Sequence, residues 1–232
     1  MMKVREKRIA SLRELWGLVR EDLRYNGGVT WPGFQALALY RFGVWKNGIG
    51  SKLLRIPFTI LYRIGYIFVR NFYGIELPAS AEIGRRLTVG HQHGITVHWN
   101  SVIGDDCIIR QGVSLGQDRL IAGVPVEKLQ GPKFGNRVEV GAGAIIIGDI
   151  TVGDGVRIGP NSVVMANVPA GAIVTAPPSR IMAPPPKRRP KPDPAAETVD
   201  PPETAPEPEI EPATAAPESD AAAGEIAARR TA

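Results

Sequence analysis

Residues 140–164 read VGAGAIIIGDITVGDGVRIGPNSVV, and an aliphatic returns at every sixth position: Val140, Ile146, Val152, Ile158 and Val164. A helix repeats every 3.6 residues and a flat strand every 2, so a period of six fits neither alone. It fits short flat strands joined by corners, with one aliphatic per strand pointing inward. Three such sides make a triangular coil of about 18 residues, and stacked coils make a parallel β-helix. The same register runs upstream through Leu77, Ile83, Val89 and Ile95, shifts by two, and continues through Val97, Ile103, Ile109 and Leu115. Four places after many of these aliphatics sits a second residue, mostly small or branched: Ala81, Ser101, Cys107, Val113, Ala144, Val156, Ser162 and Val168.

This repeat spans 75–182 and predicts a mainly β domain of about five coils. Residues 116–137 (GQDRLIAGVPVEKLQGPKFGNR) keep no hexad register and read as a loop extruded from one corner, where a rigid scaffold tends to carry function. Cys107, the single cysteine, occupies a small inward position and reads as a core hydrophobe rather than a nucleophile. One cysteine also rules out an intramolecular disulfide.

Upstream, 1–74 has helical character. Leu12, Leu15, Trp16, Val19 and Leu23 form one apolar stripe, and Ser11 with Glu14 makes a capping-box pair. NGG at 26–28 and WPG at 31–33 break the chain, and a second helix is expected from about Phe34 to Trp45. The most hydrophobic stretch, LLRIPFTILYRIGYIFVRNFYG (53–74), has the length of a membrane span, but Arg55, Arg63 and Arg70 interrupt it and Pro57 would kink it. It reads as an amphipathic helix whose apolar side packs on protein, with a membrane interface as the alternative. Residues 1–74 hold 13 Lys/Arg against 4 Asp/Glu, which keeps anionic lipid head groups in play. No recognition motif accompanies the charge, so no nucleic acid is expected. No secretory signal is visible, and the expected location is the cytoplasm, with the inner membrane face as a place of contact. Residues 183–232 are rich in Pro, Ala and Glu and are expected to be disordered.

All three histidines, His91, His93 and His98, lie in VGHQHGITVHWN (89–100). Register places His91 at a corner, two residues past inward Val89. It places His93 at a small inward position, as a core group or one supporting the site, and His98 outward in solvent. Rings so crowded and so divergent make a poor metal site, and no metal is expected.

The run GIELPASAEIGRRLTVGHQHGITVHWNSVIGDDCIIRQGVSLG (74–116), the GPK at 131–133, the hexads of 140–164 and VPAGAIVTAPPSRI (168–181) resemble the serine acetyltransferase family. That resemblance implies a left-handed β-helix, acetyl-CoA as co-substrate, and direct attack of an acceptor hydroxyl on the thioester. It implies His91 as general base, a role an imidazole titrating near 6.5 can fill, and Glu76, fifteen residues earlier, as the carboxylate that holds the ring. The acceptor positions it transfers are Gly90, His93, Gln130 and Gly131. The CoA positions are Gly116, Gln117, Ala142, Pro160 and Arg180. It also implies a homotrimer with sites between subunits, and pairing of trimers through the helices as a larger form. The departures are specific. The family has an Asp before its base where this chain has Gly90, and an Arg-His-Pro where this chain has Gln130, Gly131 and Pro132. Groups suited to an amino acid are therefore missing. The chain resembles the branch that acetylates exopolysaccharides or sugars, so a sugar or polysaccharide precursor is the expected acceptor. Serine, for cysteine biosynthesis, is the alternative, and a non-catalytic trimeric scaffold is the alternative of another kind.

Overall fold

The computed structural model describes residues 9–117 and 129–178. Fourteen short strands build three faces. Face A holds β1 (Ile75–Glu76), β4 (Ile95–Val97), β7 (Ser114–Gly116), β10 (Ile145–Ile147) and β13 (Val163–Val164). Face B holds β2 (Glu82–Ile83), β5 (Val102–Ile103), β8 (Lys133–Phe134) and β11 (Thr151–Val152). Face C holds β3 (Thr88–Gly90), β6 (Ile108–Arg110), β9 (Glu139–Val140), β12 (Arg157–Ile158) and β14 (Ile173–Val174). Each strand pairs in parallel with the strand one turn along the chain. Four full turns are followed by a fifth whose side on face B is a single bridge between Val152 and Val168.

The hexad aliphatics form the core. All thirteen, from Leu77 to Val164, are at most 6% exposed. Burying each contributes about 1.5–3 kcal/mol, and the prism has no other interior to spend them on. Cys107 is fully buried, and burial pushes its thiol up to about 11. The loop is shorter than its lost register suggested. Gly116 closes β7, and Phe134 is a buried core residue six places before Val140. The register therefore resumes at an aromatic inside the expected loop, so 133–137 belongs to the prism. Residues 118–128, Arg180 and 183–232 lie outside the described residues.

The corners fix the stacking. Where face C turns into face A, Gly94, Gly112 and Gly143 all have φ near +70°. A Cβ on Gly94 would come 3.2 Å from Gly112 Cα, and one on Gly112 would come 3.3 Å from Gly143 Cα. Only a residue without a side chain serves both needs.

Three helices precede the prism. In α1 (Leu12–Tyr25), Ser11 Oγ accepts from the Glu14 N–H at 3.1 Å, as the capping pair predicts. Leu12 and Trp16 stay 63% exposed, so the start of its apolar stripe is not covered. In α2 (Pro32–Asn47), Arg41 is 1% exposed and pairs with Asp22 at 2.8 Å. It also donates to the carbonyls of Ile83 and Gly84, while Tyr40 Oη donates to Ala81 O and accepts from Ile83 N–H. Asn26 bonds Leu87 O and the Val89 N–H. The helices thus clasp the first coil just before the histidine stretch. The third, α3 (Lys52–Phe68), carries Pro57 inside it and passes into one π-helical turn, Val69–Tyr73, closed by Gly74 in the left-handed region. None of its residues is buried, so this chain does not itself cover the apolar side expected to pack on protein.

Candidate active site

The turns differ in length, and one of the differences falls at the histidines. Thr96 pairs with Ser114 eighteen residues on, whereas Ile75 pairs with Ile95 and Thr88 with Ile108, each twenty residues on. The two extra residues can be located. Gly90 pairs with Arg110, and the Gly112 N–H donates to His93 O, so His93 stands below Gln111. What remains between Gly90 and His93 is His91 and Gln92. The regular turn from face C to face A is widened by this pair.

The widening lifts the side chains off the stack. His91 is exposed with φ 63°, and His93 is exposed with φ 74°. Left-handed residues recur at other corners, but these two have no left-handed counterpart in the coil above. His93 is therefore not the inward group its place after Val89 predicted. The insertion moves it out of register, Ile95 takes the slot that Val113 fills one coil higher, and a ring nitrogen of His93 lies 3.1 Å from Gln92 Nε2. Gly90, at the end of β3, leaves open space: a Cβ there would meet nothing closer than Arg110 Cγ at 3.8 Å.

Glu76 lies on face A, half-buried between inward Ile75 and Leu77, and its side chain turns outward. No hydrogen bond joins it to His91. Its charge acts instead on Tyr66, whose hydroxyl pKa rises to about 12, first through burial and then through Glu76. The sequence pairing of Glu76 with His91 puts the two one coil apart and out of bonding contact.

His98 departs furthest from its expected place. It is 8% exposed rather than solvated, its ring tilted against Trp99 at a centroid distance of 4.0 Å, with Nδ1 accepting from the Asn100 N–H. Burial holds its pKa below the usual imidazole value, and Gln117 lies close enough to oppose that shift partly, without a well-directed bond to Nε2. Gly131 packs directly over this ring: a Cβ there would collide with Ser101 Oγ and lie 3.0 Å from His98 Nδ1. Gly131 is thus a close-packed residue at the corner between faces A and B, away from His91. Gln130 beside it is exposed.

The expected CoA positions separate likewise. Ala142 and Pro160 line one open groove of about 400 Å³ on face C, with Arg110, Gly141, Arg157 and Gly159. Gly116 sits on face A beside Ile147, and Gln117 follows it. The groove and the histidine corner share Arg110, which stands one coil above Gly90. Two residues at this corner escaped sequence reasoning. Neither Arg110 nor Gln111 stands out from the hexad pattern. The signal for Gln111 is its column: Ala142 and Pro160 occupy the same place above it, yet Gln111 brings an amide whose Oε1 is buried without a partner. Among the described residues no three His, Cys, Asp or Glu side chains converge as a metal site would require.

Comparison with known proteins adds to this geometry. The family model described as Bacterial transferase hexapeptide (six repeats) matches residues 131–166. Over 166 residues the chain is 39% identical to the colanic acid biosynthesis acetyltransferase WcaB of Escherichia coli K12, covering 69% of this chain and 96% of that one. It is 38% identical over 144 residues to the serine acetyltransferase of Helicobacter pylori J99, covering 62% of this chain and 77% of that one. A serine acetyltransferase solved in complex with CoA superposes with a TM-score of 0.55 at 27% identity, over 74% of this chain and 70% of that one.

Proposed function

The chain belongs to the hexapeptide-repeat acetyltransferases of the serine acetyltransferase and WcaB type, and on that premise we propose that it moves an acetyl group from acetyl-CoA to a sugar hydroxyl, with His91 as general base. The widened corner carries this reading. It exposes two imidazoles, His91 and His93, in an unusual backbone conformation near an open groove; a base must reach the proton it removes, and the family resemblance selects His91 of the two. His91 takes the acceptor hydroxyl proton as the oxygen attacks the thioester carbonyl. The tetrahedral intermediate collapses, the C–S bond breaks, and the imidazolium returns its proton to the CoA sulfur. Glu76, one coil away on face A, is the positioning carboxylate. It steadies the cation formed on His91 through space, or through a bond made when substrate closes the corner. Ala142 and Pro160 floor the path of the pantetheine arm, and Gly116, Gln117 and Arg180 complete the CoA contacts from elsewhere on the subunit or from its neighbour in a homotrimer.

The acceptor assignment rests on what the corner offers. Gly90 presents space and the Arg110 side chain where a serine enzyme has a carboxylate, and Gln130–Gly131, at another corner and able to reach such a site only from a neighbouring subunit, carry no charge. An amino group finds no counter-charge there, whereas a neutral sugar needs none. The decisive experiment is thiol release from acetyl-CoA by the purified full chain, with sugars and nucleotide sugars in one panel and L-serine in another. Turnover with a sugar and none with serine supports the assignment, and preference for serine overturns it. With the best acceptor, His91→Ala should lower kcat by about 10²- to 10⁴-fold at unchanged melting temperature. Full activity would remove His91 from the mechanism.

A further inference from the structure

We propose that α3 is a membrane-surface anchor that docks the protein on anionic lipid. Leu53, Leu54, Ile60, Leu61, Ile64 and Phe68 are each 45% exposed or more, a density of bare apolar side chains unlike that of any other element described. The helix is attached by one side. Phe58 packs edge-on against Trp45 at 5.2 Å, and Tyr62 Oη accepts from the Ala79 N–H. At about 100° per residue, Phe58, Tyr62, Gly65 and Val69 share that attached side. Leu53, Ile60, Ile64 and Ile67 then point roughly the opposite way. An apolar groove of about 420 Å³ between α2 and α3, lined by Leu39, Phe42, Leu61, Ile64, Gly65 and Phe68, opens alongside. That is a shape into which an acyl chain fits.

The charge says which occupant suits the face. Lys52, Arg63 and Arg70 fall within about 20° of one another, along the border between the apolar and attached sides. Among the described residues none of them, nor Arg55, has a carboxylate partner, and no Asp or Glu occurs anywhere from 23 to 75. The Lys46 ammonium feels this excess. Its pKa is lowered, first by burial and then by Arg55 and Arg63. A second copy of the helix would add more uncompensated positive charge, whereas anionic head groups supply the missing counter-charge. Among the described residues no helix is long and apolar enough to cross a membrane. An apolar face bordered by cations is the arrangement of a helix lying in the interface plane.

This inference stands apart from the acyl-transfer reading, and its test does not use activity. The full chain is floated on a density gradient with phosphatidylcholine vesicles, with and without about one third phosphatidylglycerol. Flotation separates bound protein from aggregates, which sink. Co-flotation with the anionic vesicles, lost on raising salt, is expected. Arg63→Gln with Arg70→Gln should weaken partition roughly 30-fold. Ile60→Glu with Ile64→Glu, at positions already in solvent, should abolish it without changing the circular dichroism spectrum. Wild-type protein that stays at the bottom with anionic vesicles overturns the proposal. So does flotation that the glutamate pair leaves intact. If the glutamate pair instead halves the mass measured by light scattering while neither protein floats, the face is a contact between copies and the lipid reading falls.

Discussion

The corner at Gly90–Gly94 and its counterpart two coils higher, at Gly141–Gly143, lie in one column of the prism and obey opposite rules. At the upper corner everything is in contact. A Cβ on Gly141 would lie 2.6 Å from Pro160 N, and Gly143 keeps the left-handed turn that lets the coil close. At the lower corner two residues are added, the backbone leaves the stack, and His91 and His93 stand in solvent. A repeat that packs every coil on the next leaves little room for a substrate. Chemistry becomes possible where the repeat is loosened, and rigid coils above and below hold the loosened piece in place.

The sharpest way to break this comparison is to remove the difference. Deleting His91 and Gln92 together restores an eighteen-residue turn and lets Gly90 run into His93 as Arg110 runs into Gln111. Acetyl transfer should fall by at least about 10²-fold, the loss expected for a general base. The melting temperature should stay within a few degrees, because the deletion returns the coil to the regular path. Deleting His91 alone should unfold the first coil, since a one-residue slip exchanges inward and outward side chains. Equal stability of the single and double deletions would show that register does not govern this corner.

A smaller effect separates the two glycines. Gly141→Ala forces a methyl against the backbone of the coil above and should cost about 1–3 kcal/mol, read from urea denaturation. Gly90→Ala, with nothing nearer than 3.8 Å, should change stability by less than about 0.5 kcal/mol. Matching losses at both positions would mean that the lower corner is as tightly packed as the upper one.

The sequence carried the prism further than it carried the site. Inward positions repeat locally, so Val140 to Val164 announce themselves, and every one is buried as its register requires. Phe134 was hidden because an aromatic interrupts an aliphatic pattern, although it keeps the six-residue step. The shift by two between Ile95 and Val97 was visible, but its location was not. Both residues are aliphatic and both point inward, so the pattern alone cannot say that the added pair is His91–Gln92. His98 was misplaced for another reason. Register speaks only of the strand it belongs to, while the cover over His98 comes from Leu129–Pro132, some thirty residues away in the chain. The same limit applies to α3. An amphipathic pattern shows that a helix has an apolar face, and the structure was needed to show that this chain leaves it bare.

His98 supplies the finest test of the comparison, because it is a histidine on the regular path rather than in the insertion. Its buried ring resists protonation, so its pKa in the fold lies below the unfolded value near 6.5. Above that value neither state binds the proton and His98 adds no pH dependence. As the pH falls below it, the unfolded chain takes up the proton before the folded one does, and stability declines. The slope this residue contributes is at most about 1.4 kcal/mol per pH unit. Urea denaturation at pH 7, 6 and 5 should therefore show a shallower decline in His98→Gln than in the wild type. Parallel declines would mean that the ring picks up its proton within the fold, and that a histidine on the regular path is as open to water as those in the widened corner.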